Sequence, residues 1–187
     1  MGEVECADGN LYLTAVLRDT PTVPESGRYA ATIYADGQIQ AITGVQYGSA
    51  INYQGVNQAL LLDVHLPPPT SPATDRPTIV LVHGGAFAGG DRSSNTGVAR
   101  EWARRGYVAV SISYRLDPRL AMSPRPPGVT QLGAAANAID DAMESVRFLK
   151  ANAATYRIDP TRIAMAAAPS WVTPGGRGLI ASRGSRR

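Results

Sequence analysis

A chain of 187 residues with 44% hydrophobic and 18% charged residues can bury a single-domain core and is too apolar for a disordered polar tail. The net charge of +3 is local: Arg177, Arg183, Arg186 and Arg187 fall in the last eleven residues, and without them 14 basic residues face 15 acidic ones. A nucleic-acid-binding face, which needs cations spread over a folded surface, is therefore not expected. One cysteine, Cys6, excludes an intrachain disulfide, and one Cys with His65 and His83 excludes a Cys/His zinc centre; nothing marks a carboxylate metal site. No apolar run approaches the roughly 20 residues of a membrane span. Met1-Gly2-Glu3-Val4-Glu5-Cys6 is acidic and has neither a basic nor an apolar leader region. No signal peptide is expected, which leaves the cytoplasm as the default compartment.

In chain order, residues 1–41 read as an extension of uncertain structure. Within it, Leu11 to Leu17 is a candidate strand and Asp19 to Pro24 a loop set by its prolines. Ile42-Thr43-Gly44-Val45-Gln46-Tyr47 and Leu60 to Leu66 predict an antiparallel pair across a polar, glycine-containing connection. Pro67-Pro68-Pro69-Thr70-Ser71-Pro72 then imposes an extended linker. The β-branched run Thr78-Ile79-Val80-Leu81-Val82 predicts a buried strand that gives way at His83-Gly84-Gly85-Ala86-Phe87 to a loop. Paired glycines place no Cβ between the backbone and a ligand, so this loop either turns its N–H groups toward an anionic oxygen or is a plain strand-to-helix turn.

A helix near 96–105 follows, with Val98, Trp102 and Arg105 at helical spacing and Gly106 where a C-terminal glycine cap belongs. Tyr107 to Tyr114 predicts a second buried strand, and 117–128 a proline-rich loop. A long helix near 132–154 carries Ile139, Met143, Val146, Leu149 and Ala153 as one apolar stripe, expected to be core. Arg162-Ile163-Ala164-Met165-Ala166 predicts a third strand. Strands alternating with helices indicate a parallel α/β sheet.

Taken together, His83-Gly84-Gly85-Ala86-Phe87, Gly106-Tyr107-Val108-Ala109-Val110, Ser113-Tyr114-Arg115-Leu116, Asp140-Asp141-Ala142, Val146-Arg147-Phe148-Leu149 and Ile158-Asp159-Pro160-Thr161-Arg162-Ile163-Ala164 resemble the esterase/lipase branch of the α/β-hydrolase superfamily. The resemblance runs from about residue 42 to 165 and implies the N-terminal portion of that fold. It also implies hydrolysis of carboxylic esters, with a small-molecule ester as the partner and no cofactor. In that family a serine on a sharp turn attacks the carbonyl, a histidine moves the proton, an acid fixes the histidine, and backbone N–H groups bind the oxyanion. Gly84, Gly85 and Ala86 match the oxyanion loop, and His83 would brace it.

The match breaks at the nucleophile. A G-x-S-x-G turn is expected after Met165, but the chain reads Ala166-Ala167-Ala168-Pro169-Ser170-Trp171-Val172. Ser170 is the candidate nucleophile, yet Ala168 and Val172 stand where the strained turn needs glycine, and Pro169 has no N–H. No Asp, Glu or His follows Ser170, so these residues cannot complete a triad in the family's chain order. The chain is expected to be catalytically incompetent; the alternative is a non-catalytic remnant or binding protein of the same fold. The later strands are expected to be missing, which would leave a sheet edge open to self-association.

Rival motifs do not hold. The glycines at 84, 85, 89 and 90 give no G-x-G-x-x-G, and Gly176-Arg177-Gly178 does not follow a strand. Residues 166–187 form an atypical basic tail rich in Ala, Pro, Gly, Ser and Arg, expected to be disordered. The body holds 13 Arg and one Lys, a bias that fits GC-rich coding DNA, in which a shifted frame would yield such a tail. Translation of the other two frames past codon 166 is expected to recover a G-x-S-x-G motif with a later Asp and His; their absence would refute a frameshift.

Overall fold

A computed structural model describes Val4–Ala7, Asn10–Leu13 and residues 29–167. The chain divides into two units, 1–31 and 32–187. In the first, β1 (Val4–Ala7) and β2 (Asn10–Leu13) pair antiparallel. Of the strand expected at 11–17, Leu11–Leu13 belong to β2; the rest of it and the loop expected at 19–24 lie outside the described residues.

The second unit contains β3 (Gln40–Ile51), β4 (Asn57–Leu66), β5 (Arg76–Val82), α1 (Thr96–Arg104), β6 (Val108–Ile112), α2 (Gln131–Ala151), α3 (Ala153–Tyr156) and β7 (Ile158–Ala167). Its five-stranded sheet runs β3-β4-β6-β5-β7. The β3–β4 and β4–β6 pairs are antiparallel, and β5 pairs parallel with both β6 and β7. This is the expected α/β architecture, with antiparallel opening strands ahead of a parallel centre. All five residues of β6 are buried, because a parallel strand covered on both faces has no solvent side.

The alternation of side chains along the central strands sorts two cores. Val80, Val108, Val110 and Ile112 join Leu62, Val64, Ala142 and Leu149 under α2. Ile79, Leu81 and Ala109 face the other way, onto Ala99 of α1. Gly106 ends α1 as expected. Its φ of 99° allows its N–H to reach Ala103 O at 3.0 Å and that of Tyr107 to reach Trp102 O at 3.3 Å, the paired bonds of a Schellman ending.

One expectation about a helix face is corrected. On α2, Ile139 is 60% exposed and Met143 48%, whereas the buried face is Ala134, Ala138, Asp141, Ala142, Ser145 and Leu149. Small residues let the helix axis approach the sheet, so size selected against the bulky stripe. On α1, Val98 is exposed and the buried positions are Ala99 and Ala103, for the same reason. The long helix also stops at Ala151, where Asn152 caps it through Nδ2 to Phe148 O at 2.8 Å.

One ion pair ties α2 to the end of β6. Asp141 is 2% exposed and accepts the Arg115 backbone N–H at 2.7 Å as well as its guanidinium, the closest contact being Nη2 at 2.7 Å. Arg115 Nη1 also donates to Ile51 O at 3.1 Å, which brings in the β3–β4 hairpin. Removing one partner of a buried pair leaves an uncompensated charge. Asp141→Ala is therefore expected to cost about 3–5 kcal/mol in urea denaturation. Asp140→Ala, one residue away and exposed, is expected to stay within about 0.5 kcal/mol.

Candidate active site

The carboxyl ends of parallel strands are where open α/β sheets bind ligands. Here β5 ends at Val82 and the chain turns at once through the glycine loop. Gly85, Ala86 and Phe87 have φ of 122°, 52° and 64°, three successive residues on the left-handed side. For alanine and phenylalanine this conformation is strained and persists only where the surroundings enforce it. The enforcement is visible. Ala88 N and Gly89 N both donate to Gly85 O, at 2.9 and 3.2 Å, and Asp117 N donates to Phe87 O at 2.8 Å. Phe87 and Ala88 pack on Leu120, Val129 and Ala134. No hydrogen bond runs from the Gly85 or Ala86 amide to a described residue.

His83 lies beneath this loop, 3% exposed. Its ring stacks on Tyr114, with centroids 4.3 Å apart and planes 14° from parallel, and Tyr114 Oη donates to His83 O at 3.0 Å. Nδ1 lies 2.7 Å from Gly84 O. A carbonyl can only accept, so Nδ1 carries the proton and Nε2 is the unprotonated nitrogen. That Nε2 is enclosed and has no partner among the described residues. Desolvation lowers the pKa of His83, while the Gly84 carbonyl and the Asp91 carboxylate oppose the shift, leaving the imidazole neutral at pH 7.

The far end of the loop is fixed separately. Asp91 accepts Ser93 N at 2.6 Å and starts a 3-10 turn over Arg92–Asn95 that leads into α1. The Arg92 guanidinium reaches Asp63 of β4 at 2.7 Å, and Asp63 also accepts Gly44 N at 2.8 Å. Ser111 Oγ donates to Arg92 O, and Arg92 N donates to Ser113 Oγ.

Beside this edge lies a cavity of about 90 Å³ lined by Asn52, Tyr53, Arg115, Asp117, Arg119 and Asn137, among others. The Arg119 guanidinium sits 5.2 Å from the Tyr53 ring centroid and pairs with Asp117 at 2.8 Å, which holds the Asp117 carboxyl below its ordinary range. Among the described residues no group of His, Cys, Asp and Glu is placed to hold a metal ion.

Of the residues singled out from the sequence, His83, Gly84, Gly85 and Ala86 are brought together in one loop. Ser170 lies outside the described residues. What the described part does fix is the neighbouring strand: Val82 of β5 pairs in register with Ala167 of β7, so both strands reach the same edge. Sequence reasoning missed Tyr114 as the stacking partner of His83, and the Arg92–Asp63 and Arg115–Asp141 pairs. Ser113-Tyr114-Arg115-Leu116 was visible as a motif, but its partners are 26 to 31 residues away and no local spacing connects them.

The match to a family model agrees with this geometry. The BD-FAE family model covers residues 62–170, more than half of the chain, from β4 to Ser170. The chain belongs to the BD-FAE family. BD-FAE is of the α/β-hydrolase type, and solved structures point to the same esterase-like relationship. Esterase 2 of Thermogutta terrifontis phosphoramylated by tabun matches with a TM-score of 0.52 and 25% identity, over 68% of this chain and 42% of that one. The apo form of the same esterase matches with a TM-score of 0.53 and 25% identity, over 68% and 41%. Its native form, at 23% identity and a TM-score of 0.53 over 73% and 48%, shows the shared fold. This BD-FAE chain therefore spans less than half the length of these esterases. No curated protein matches its sequence.

The loop's dependence on glycine is testable at two positions. A Cβ at Gly85 would lie 2.0 Å from Gly89 O, on a φ of 122°, whereas a Cβ at Gly89 meets nothing within 4 Å. Gly85→Ala is expected to lower the urea midpoint by the equivalent of at least about 1–3 kcal/mol. Gly89→Ala is expected to change it by no more than about 0.5 kcal/mol.

Proposed function

We propose that the chain carries the oxyanion-binding half of a carboxylic ester hydrolase, with the amides of Gly84, Gly85 and Ala86 as the donors and His83 as the brace of their loop. The observation that carries this reading is the run of left-handed residues at 85–87, which leaves the Gly85 and Ala86 N–H groups without a described acceptor. Preorganised N–H groups of this kind stabilise the charge that develops on a carbonyl oxygen when a nucleophile attacks. In ester cleavage the serine oxygen bonds to the carbonyl carbon, the carbonyl π pair moves onto oxygen, and a histidine takes the serine proton. The same histidine then returns that proton to the leaving alkoxide. His83 is a poor candidate for that transfer, because its free nitrogen is enclosed.

The hydrolase portion corresponds to residues 42–165, preceded by the extension 1–41 and followed by the basic tail 166–187. Within these 187 residues Ser170 has glycine at neither flanking position of its turn and no acid or histidine after it. We therefore expect this polypeptide to bind an oxyanion without turning over an ester. A non-catalytic binding protein of the same fold is the second reading, favoured by Ala168 and Val172 at the positions flanking Ser170.

Both halves of the proposal can be measured. Hydrolysis of 4-nitrophenyl butyrate by the purified chain is expected at the buffer rate, unchanged by Ser170→Ala; turnover abolished by that substitution would overturn the inactive assignment. Diethyl phosphate, a tetrahedral stand-in for the oxyanion, is expected to shift the backbone amide resonances of Gly84 to Phe87. Shifts elsewhere, or none at all, would remove the oxyanion assignment.

A further inference from the structure

Helix α2 has two apolar faces, and the sheet covers one of them. The other consists of Leu132, Ala136, Ile139, Met143 and Val146, at alternating intervals of four and three residues. An apolar repeat of that kind averages 3.5 residues, the period that keeps a seam facing a second helix. Leu132 is 79% exposed, Ile139 60% and Met143 48%; Ala136 is exposed and Val146 half-buried. Three large apolar side chains in line on one helix form a continuous surface rather than scattered exposure.

The charges flanking the seam choose its occupant. Asp140 and Arg147 lie on the same side of it, three residues before and four after Met143, and both are exposed. When two copies of α2 cross antiparallel about a twofold axis near Met143, each Asp140 meets the Arg147 of the second copy, and each Ile139 meets Val146. The two ion pairs are related by symmetry, as an isologous interface requires. A parallel pair brings Asp140 level with Asp140 and Arg147 level with Arg147, so the opposite charges do not meet. Arg147 is held in the single chain by Glu144 at 2.8 Å, an exposed i,i+3 contact of little worth that leaves the guanidinium available.

We propose that the outer face of α2 is a self-association surface, on which a second copy of this chain packs its own α2 antiparallel through Leu132, Ile139, Met143 and Val146. The seam spans about 21 Å of helix, a small contact that implies weak dimerisation.

Sedimentation equilibrium of the full chain, from roughly 5 to 500 µM, is expected to show a monomer–dimer equilibrium. The double variant Ile139→Glu with Met143→Glu is expected to be monomeric throughout. Because those changes act on exposed positions, circular dichroism should show the fold retained. Asp140→Arg and Arg147→Asp are each expected to weaken the dimer about three- to tenfold, and their combination to restore it. That recovery is specific to the antiparallel pairing and does not follow from a general loss of stability. A chain that stays monomeric overturns the proposal and leaves the seam to a segment of a longer polypeptide. Association that ignores both the seam and the charge exchange overturns it too, and places the contact elsewhere, such as the outer edge of β7.

Discussion

The geometry of the candidate site rests on how little room surrounds the His83 imidazole. One face is stacked against Tyr114, and the ring's Nδ1 is so near the backbone at Gly90 that a Cβ there would lie 2.6 Å away. With the ring fixed, the Nδ1–H bond fixes the direction of the Gly84 carbonyl, and so the course of the chain into Gly85. The Tyr114 hydroxyl closes the arrangement by bonding the carbonyl of His83 itself. The next residue, Arg115, carries the constraint onward to Asp141 and α2. Loop, strand end and helix are thus one mechanical unit, and the strained backbone at Ala86 and Phe87 is held by contacts on both sides.

The sheet supplies the frame for this unit. β6 lies between β4 and β5 and is buried on both faces, so its end at Ile112 is rigid, and the chain leaves it directly into Ser113, Tyr114 and Arg115. Ser113 itself bonds back to β4 through its N–H to Leu61 O at 2.9 Å. The side chain that stacks on His83 therefore follows a strand buried at every residue by two positions.

Much of the fold could be read from the sequence because its signals are local. The runs 78–82 and 107–114 are apolar on every residue that matters, and Gly106 marks a helix end through its own backbone freedom. The glycine loop was legible for the same reason. Helix faces were not, since reading α2 by its largest apolar residues chose Ile139 and Met143, while the sheet had selected Ala138, Ala142 and Ser145 for close approach. Contacts across the chain were also illegible. Arg76 is 1% exposed and donates to Gly106 O and Ser71 Oγ, neutral acceptors that no charge pattern announces. The stacking of His83 on Tyr114 joins residues just past the ends of different strands, which the parallel pairing of β5 with β6 makes neighbours.

The glycine loop keeps its shape through several elements at once. The contacts that define the loop run from Gly44, through Asp63 and Arg92, to Tyr114, Arg115, Ala134 and Asp141. Among the described residues, none of these contacts involves β7. The glycine loop is therefore held, among the described residues, by the β4–β6–β5 core and the two helices that cover it. β7 adds its edge beside Val82. The loop at 83–90 keeps the conformation that these described neighbours impose.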